Sequence, residues 1–492
     1  MPTELIVKPV LTYGPSAGTG QRGQKTSWRE WGGIQTEGDV EGEIKRIGSE
    51  LDNLLFKADF PLKILPLSAV KTVREASKLD GSPDVILIYA AGGGLHLLDA
   101  LTSLGKYSII FLRHKSGPVY LWYEIAHPIF LRGFTEGKSM VPKVDFEDVV
   151  VDDYNEILWR LRALYGLKNT IGRRVVAIGG PSGWGVGRFG VQFLKMLRRL
   201  RAFGLMEAIA RRAEPGRTGP SLGMFGVLEA RRKWKLNISK VSYGELAKRI
   251  REAKHEGTTV KKVLDQAEKY LEGVALHTDK KFVVNAFILY EIFKQILKEK
   301  EAEVITVKGC MSTIMPIAET TACLVLSMLN DEGYMAVCES DFVVIPAAIL
   351  LHYISGRPVL LVDPCYPHDG MVTLAHCTAP RRMDGKTPEP TELYTHFESD
   401  YGVAPRVIMK KGQTVTVIDP DFHGKRWLVF RGKIVDTPFL PICRSQMEVQ
   451  IEGDWRKLVR EMVGFHWVVA YGDFVSEVCY ALKKVGIECV RI

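Results

Sequence analysis

Two acids, Glu319 and Asp341, lie within the stretch Lys308–Asp341, KGCMSTIMPIAETTACLVLSMLNDEGYMAVCESD. EVITVK, which ends at Lys308, is a short β-branched run; Thr320–Asn330 is apolar, of helix length and closed by Gly333; Tyr334–Cys338 is a second short apolar run. Strand, helix, strand is a right-handed crossover unit with parallel strands. The loops after both strands then open at one edge of the sheet, where open α/β sheets hold their ligands. Carboxylates at that edge can share a metal ion or carry out acid–base chemistry. The same acids would also serve as ordinary loop or cap residues. Glu339 lies two residues before Asp341 and replaces it as a ligand if the strand register differs.

Histidines supply the other half of the chemistry. Of eleven, six follow residue 350: His352, His368, His376, His396, His423 and His466. His352 sits in the apolar segment Val343–Ser355 and reads as a packed core residue. His368 lies in PCYPHDG after a PVLLVD strand, His376 in LAHCTAP, and His466 in GFHWVVAYGD at the start of a buried strand. Imidazole beside two carboxylates makes a mixed oxygen and nitrogen site that suits Mn²⁺ or another divalent first-row ion better than Ca²⁺.

The elements that must position these groups read as α/β followed by β. Leu62–Leu67, Asp84–Tyr89 and Tyr107–Arg113 are short apolar strands with helical sequence between them, which predicts a small parallel sheet. AAGGGLHLLDAL follows DVILIY directly; Gly92, Gly93 and Gly94 make either a phosphate-facing loop or a plain tight turn, and the tight turn is the simpler reading. A second unit opens with Arg173–Ile178 and runs into GGPSGWGVGRFG. That run lacks the ending of a P-loop, and Trp184 and Arg188 either face a polyol or pack the turn. From Met371 onward, runs such as PRVIMKKGQTVTVIDPDF and KRWLVFRGKIV alternate apolar and polar residues, which predicts antiparallel hairpins closing into a barrel or sandwich. Residues 1–165, 166–342 and 343–492 are therefore expected as two parallel-sheet domains of flavodoxin or Rossmann type and a β-rich C-terminal domain, with the site between the second and third.

Composition sets limits. A chain of 492 residues, 46% hydrophobic and 25% charged, is long enough for about three domains of an ordinary globular protein. No apolar run approaches the ~20 residues that span a bilayer, and MPTELIVKP lacks the layout of a secretion signal, so a cytoplasmic protein is expected. All eight cysteines lie between Cys310 and Cys489 and none forms C-x-x-C, which argues against a structural zinc site and for small buried thiols. The net charge of +9 is densest over Lys195–Lys235, including Arg198, Arg199, Arg211, Arg212, Arg231, Arg232 and Lys233. Without interleaved aromatics or a nucleic-acid motif, this region reads as solvated helix faces or an oligomer contact rather than a nucleic-acid surface.

TACLVLSMLNDEGYMAVCESD with the following apolar helix and SGRPVLLVD, then MVTLAHCTAP, the β-rich segment after it, and GFHWVVAYGD together resemble the L-fucose isomerase and L-arabinose isomerase superfamily, especially its divergent fucose isomerase-like members. The likeness covers roughly the last 190 residues in motif and the rest in architecture only. In that family a glutamate and an aspartate flank one strand–helix–strand unit and bind Mn²⁺ with a distant histidine. The resemblance implies Glu319 and Asp341 as catalytic and metal-binding residues with His466 as third ligand; Glu339, His376 and His368 remain further candidates from the residues themselves. It implies a free sugar as substrate, a homotrimer or homohexamer in which a neighbour's first domain caps the site, and aldose–ketose conversion through an enediol. A sugar-binding or regulatory protein of the same fold, without the reaction, is the alternative.

Overall fold

A computed structural model describes residues 2–14, 34, 36–120, 125, 131, 134–135, 138–139, 144–183 and 224–492. Trp184, Arg188 and most of the basic region fall outside these residues. The chain forms two compact units, Pro2–Lys168 and Asn169–Ile492. The second unit contains both the second parallel sheet and the C-terminal barrel.

In the first unit the strands are β1 (Leu5–Thr12), β2 (Leu62–Ile64), β3 (Ser68–Val70), β4 (Val85–Ala90), β5 (Tyr107–Leu112) and β6 (Val149–Val151). All pair in parallel in the order β2-β1-β4-β5-β6, and β3 continues the line of β2 along β1. With β2 and β3 sharing one position this is the flavodoxin-like order. Every residue of β4 is buried, as a central strand covered on both faces requires. Helices α1 (Glu37–Lys57) and α2 (Leu95–Thr102) flank the sheet sequence; α1 is opened by a capping box in which Thr36 and Asp39 exchange hydrogen bonds. Gly92 packs where a Cβ would come within 2.5 Å of Gly14 N and 2.8 Å of the Tyr13 carbonyl carbon. The glycine run after β4 is thus a turn pressed against backbone, the simpler of the two readings.

The second unit opens with a sheet of β7 (Arg174–Ile178), β8 (Asn237–Val241), β9 (Val304–Val307) and β10 (Met335–Val337). These pair in parallel in the order β8-β7-β9-β10. Helices α3 (Tyr243–His255), α4 (Gly257–Leu271), α5 (Lys280–Glu299) and α6 (Cys323–Asp331) belong to the same layer. α5 and α6 carry the core: Phe287, Leu289, Phe293 and Ile296 of α5 pack with Leu324, Val325 and Leu329 of α6. The β9–α6–β10 crossover has the strands and the helix that periodicity predicts.

A largely apolar helix, α7 (Ile345–Ser355), leads to a closed barrel of β11 (Leu360–Pro364), β12 (Met371–His376), β13 (Thr414–Pro420), β14 (Arg426–Asp436), β15 (Ser445–Glu452) and β16 (Trp467–Tyr471). The antiparallel circuit runs β13-β16-β11-β12-β15-β14 and back to β13. Alternate residues fill it: Leu360 and Val362, Val372 and Leu374, Val415 and Val417, Leu428 and Phe430, Met447 and Val449, and Trp467, Val469 and Tyr471 share one core. This is the period-two pattern of the sequence turned into a packed interior. The fold is therefore two flavodoxin-like parallel sheets with helices and a C-terminal antiparallel barrel. Among the described residues no single helix is long and apolar enough to cross a membrane. Cys323, Cys338 and Cys377 are buried free thiols, while Cys479 and Cys489 are joined by a disulfide.

His352 occupies the apolar helix α7 as expected, with Nδ1 2.9 Å from the Arg357 carbonyl oxygen. Burial, only partly countered by that contact, pulls its pKa down to about 4 from 6.5. The folded chain then binds fewer protons than the unfolded chain between those values, so this residue's contribution is present above pH 6.5 and is lost as pH falls toward 4. The full loss is at most about 3 kcal/mol. Urea titrations of wild type and His352→Gln at pH 7 and pH 4.5 should show a smaller acid-induced loss in the variant; equal losses would refute a neutral buried imidazole.

Candidate metal centre

The site is assembled where β10, the barrel strand β11 and the loop before β16 come together. Immediately after β10 the chain turns through two non-glycine residues in the left-handed region, Glu339 at φ 63° and Ser340 at φ 54°. Such backbone costs on the order of 1–3 kcal/mol per residue and persists only when the surroundings hold it. Here Ser340 is fully buried and tied on three sides: its N–H donates to Thr306 Oγ1 at 2.9 Å, its hydroxyl to the Gly180 carbonyl at 2.9 Å, and its carbonyl accepts from Ser182 N–H at 3.2 Å. The turn thereby aims Glu339 at the barrel.

His466 is buried just ahead of β16, and its position is fixed from both sides. The Asp419 carboxylate accepts N–H bonds from Val463 at 3.0 Å and Gly464 at 2.7 Å, and Trp467, whose ring is in the barrel core, donates to the Gly464 carbonyl at 3.2 Å. A Cβ on Gly464 would stand 2.1 Å from Asp419 Oδ1, so only glycine fits this approach.

Three carboxylates meet the imidazole, and a second histidine meets one of them. Nδ1 lies 2.8 Å from Asp341 Oδ2. On the other side of the ring, Nε2 lies 3.3 Å from Glu339 Oε2 and 3.4 Å from Asp363 Oδ1. His376, also buried, sets Nε2 3.8 Å from Glu339 Oε1, while its Nδ1 is 3.0 Å from Thr378 Oγ1. Asp363 Oδ1 is buried and has no hydrogen-bond partner in the protein. An oxygen so placed carries an unbalanced desolvation cost unless something else binds there.

The electrostatics agree with the geometry. Burial alone would raise Glu339, but the imidazoles of His376 and His466 outweigh it and hold the carboxyl well below its usual range. Burial works against a charged His466, yet Asp341 and Glu339 push its pKa up to about 10. His376 is likewise raised against burial by Glu339 and Asp363. Burial raises Asp363. Three carboxylates around one buried ring make a place where positive charge is strongly stabilised.

Among the described residues no group of His, Cys, Asp and Glu is closed around a metal position as it stands, but the donor chemistry of Glu339, Asp363 and His466 suits a divalent cation. Ligand atoms about 2.1 Å from one ion, at octahedral or tetrahedral angles, are themselves about 3.0–3.4 Å apart. The two contacts of His466 Nε2 fall in or at the edge of that range. Asp341 on Nδ1 completes the arrangement in which a carboxylate fixes the tautomer and orientation of a ligating histidine. Asp341→Asn should therefore lower Mn²⁺ affinity about 10–100-fold with the fold intact, as read by calorimetric titration. An unchanged affinity would remove Asp341 from the site.

This revises the expected ligand set. Glu319 does not join His466. The chain leaves β9 through Gly309 and two helical turns, Cys310–Ile314 and Met315–Ala318, and Glu319 follows them in a left-handed conformation at φ 52°. Its carboxylate, 60% exposed, pairs with Lys254 of α3, and its carbonyl accepts from Asn285. An acid one helical segment beyond the strand is no longer an acid at the sheet edge. Asp341 is in the cluster but faces Nδ1, the side of the ring away from Glu339 and Asp363; its other oxygen takes the Val343 N–H at 3.0 Å. His368 is exposed and closes a turn, Nδ1 3.2 Å from the Tyr366 carbonyl, with its backbone bridged to Met371. Glu339 and His376 are at the centre. Asp363 was missed, although the signal existed: it ends the buried run PVLLVD just as Glu339 follows YMAVC.

No protein-family model matches the chain, and a comparison with curated proteins finds no match.

Proposed function

We propose that this chain is a divalent-metal-dependent aldose–ketose isomerase acting on a free sugar, with Mn²⁺ the leading ion. The observation that carries the proposal is that Glu339 and Asp363 both lie against His466 Nε2 beside the sheet edge. Its pattern agrees with the resemblance noted above, one unit further along than expected: Glu339 and Asp363 flank the strand–helix–strand unit β10–α7–β11, and the histidine lies far downstream. Glu339, Asp363 and His466 would hold the ion. When bound, a divalent cation polarises adjacent sugar oxygens and offsets the negative charge of an enediolate.

The chain's own residues supply the rest. Glu339 and Asp363 are the carboxylates placed to move protons between neighbouring carbons. The C2 proton of the aldose ends on C1 and the O2 proton on O1, so the conversion needs no external redox partner. His376 faces Glu339 Oε1 and keeps that group in its carboxylate form. Asp341 orients His466. A trimer or hexamer is the assembly the resemblance suggests, and the cytoplasm the compartment the composition suggests.

The test is turnover. Purified protein with Mn²⁺ should interconvert an aldose and a ketose in a panel beginning with L-fucose, L-arabinose, D-arabinose and their deoxy relatives. EDTA should abolish the activity and added Mn²⁺ restore it. Bound metal with no turnover across a broad panel would favour a sugar-binding protein that has lost the reaction; protein that binds no divalent ion would sink the proposal.

A further inference from the structure

A second cavity of about 480 Å³ opens between α4, α5, the C-terminal end of α6 and the loop after β12. Its volume is in the range of small-molecule sites. Tyr270, Phe287, Tyr290 and Met328 form an apolar wall, with Tyr270 and Tyr290 each set edge-on to Phe287. None of these residues belongs to the metal centre. The cavity lies at the Asp331 end of α6, whereas Cys323 at the opposite end packs with Cys377, the neighbour of His376. The helix between them is about 12 Å long at ~1.5 Å per residue.

Three polar atoms in this lining are buried without a hydrogen-bond partner: Gln266 Oε1, the Tyr270 hydroxyl and Arg381 Nε. They are a large share of such atoms among the described residues, and Asp363 Oδ1 is another. Buried polar groups in native proteins are ordinarily satisfied, so a cluster of unsatisfied ones points to a missing partner. The acids of the lining do not supply it. Asp331 Oδ1 accepts from Arg382 N–H at 2.8 Å, and Glu332 is engaged by Lys294 at 2.8 Å and by the Tyr290 hydroxyl. Gln266 already donates its amide N–H to Glu291 at 2.9 Å, while its carbonyl oxygen has no donor. The Arg381 guanidinium lies over the Tyr270 ring, 4.9 Å from its centre, rather than on a carboxylate.

We propose that this cavity is a binding site for a small organic anion with a flat apolar body. Arg381 and Tyr270 offer two donors to one anionic oxygen, Gln266 offers an acceptor to a donor on the ligand, and Lys269 and Arg382 make the rim basic. The aromatic wall takes the apolar body. The head group is a carboxylate or a phosphate, and both use the same donors.

Benzoate and phenyl phosphate separate the two. Each is titrated calorimetrically into the full chain after treatment with chelator, so that the Glu339–Asp363–His466 group holds no ion. At least one probe should bind one to one, and the tighter of the two names the head group. Arg381→Met keeps the apolar stem and removes the charge, and should weaken that binding about tenfold or more. Tyr270→Phe removes only the hydroxyl and should weaken it about three- to tenfold, which keeps the test informative if the arginine variant folds poorly. Saturable binding that both variants retain at full affinity, or no saturable binding of either probe, would overturn the proposal.

Discussion

Glu339→Gln should lower Mn²⁺-dependent turnover by about 10²-fold or more, whereas Glu319→Gln should leave it within about twofold. The first substitution keeps the size of the side chain and removes the negative charge that His376 and His466 both face. Under the proposed function, a metal ligand and a positioned proton-transfer group would be lost together. The second removes only half of an exposed pair with Lys254, an interaction of little energetic weight. Because both residues were candidates on sequence grounds, the comparison is a direct contest between two site assignments. Steady-state kinetics and metal analysis of both variants decide it. A silent Glu339 with an essential Glu319 would reverse the assignment, and Asp363→Asn, expected to behave like Glu339→Gln, is the independent check.

Arg113→Met should destabilise the first unit by about 3 kcal/mol. Arg113 is completely buried and donates from Nε to Glu43 Oε1 at 2.6 Å and from a terminal nitrogen to Glu50 Oε1 at 3.1 Å. Tyr120 also donates to Glu43, at 3.1 Å, and Tyr154 to Glu50, at 2.6 Å. Methionine fills most of the space but leaves the Glu43 carboxylate in the interior. Arg46, 3.2 Å away and half exposed, offsets only part of that charge. A buried ion pair adds little over an apolar replacement, while removal of one partner alone is costly. Adding Glu43→Gln to Arg113→Met should therefore recover part of the loss rather than deepen it. Amide hydrogen exchange of β4 and β5 in increasing urea reads the local stability. Two losses that simply add would show that the pair is not coupled.

The architecture was largely legible in the chain, because burial on both faces of a parallel strand and on one face of a barrel strand leaves different periods in the sequence. DVILIY and YSIIFLR became central parallel strands, and the alternating runs after Met371 became the barrel. The crossover from β9 to β10 was equally readable. The site was legible only in part. The sequence points to Asp341 and His466 together with Glu319, and to Glu339, His376 and His368 only as further candidates, since chemistry-bearing types cluster at the ends of buried runs. Which of the acids face the metal position was not legible. Glu319 reads in the sequence as a residue at a strand end, but the intervening turns of Cys310–Ala318 carry it to solvent.

What the sequence by itself determined is the class of fold and the stretches that bear the chemistry, because both follow from local spacing and hydrophobic period. The tertiary structure alone decided the membership of the site. Glu339 reaches His466 only because Ser340 is held in a left-handed turn by Thr306, Gly180 and Ser182, three partners distant in sequence. Asp363 joins them because β11 begins a barrel whose last strand, β16, brings His466 back beside it. Ligand geometry depends on which face of a ring meets which oxygen, and that is settled by packing between elements, to which residue type and spacing are blind.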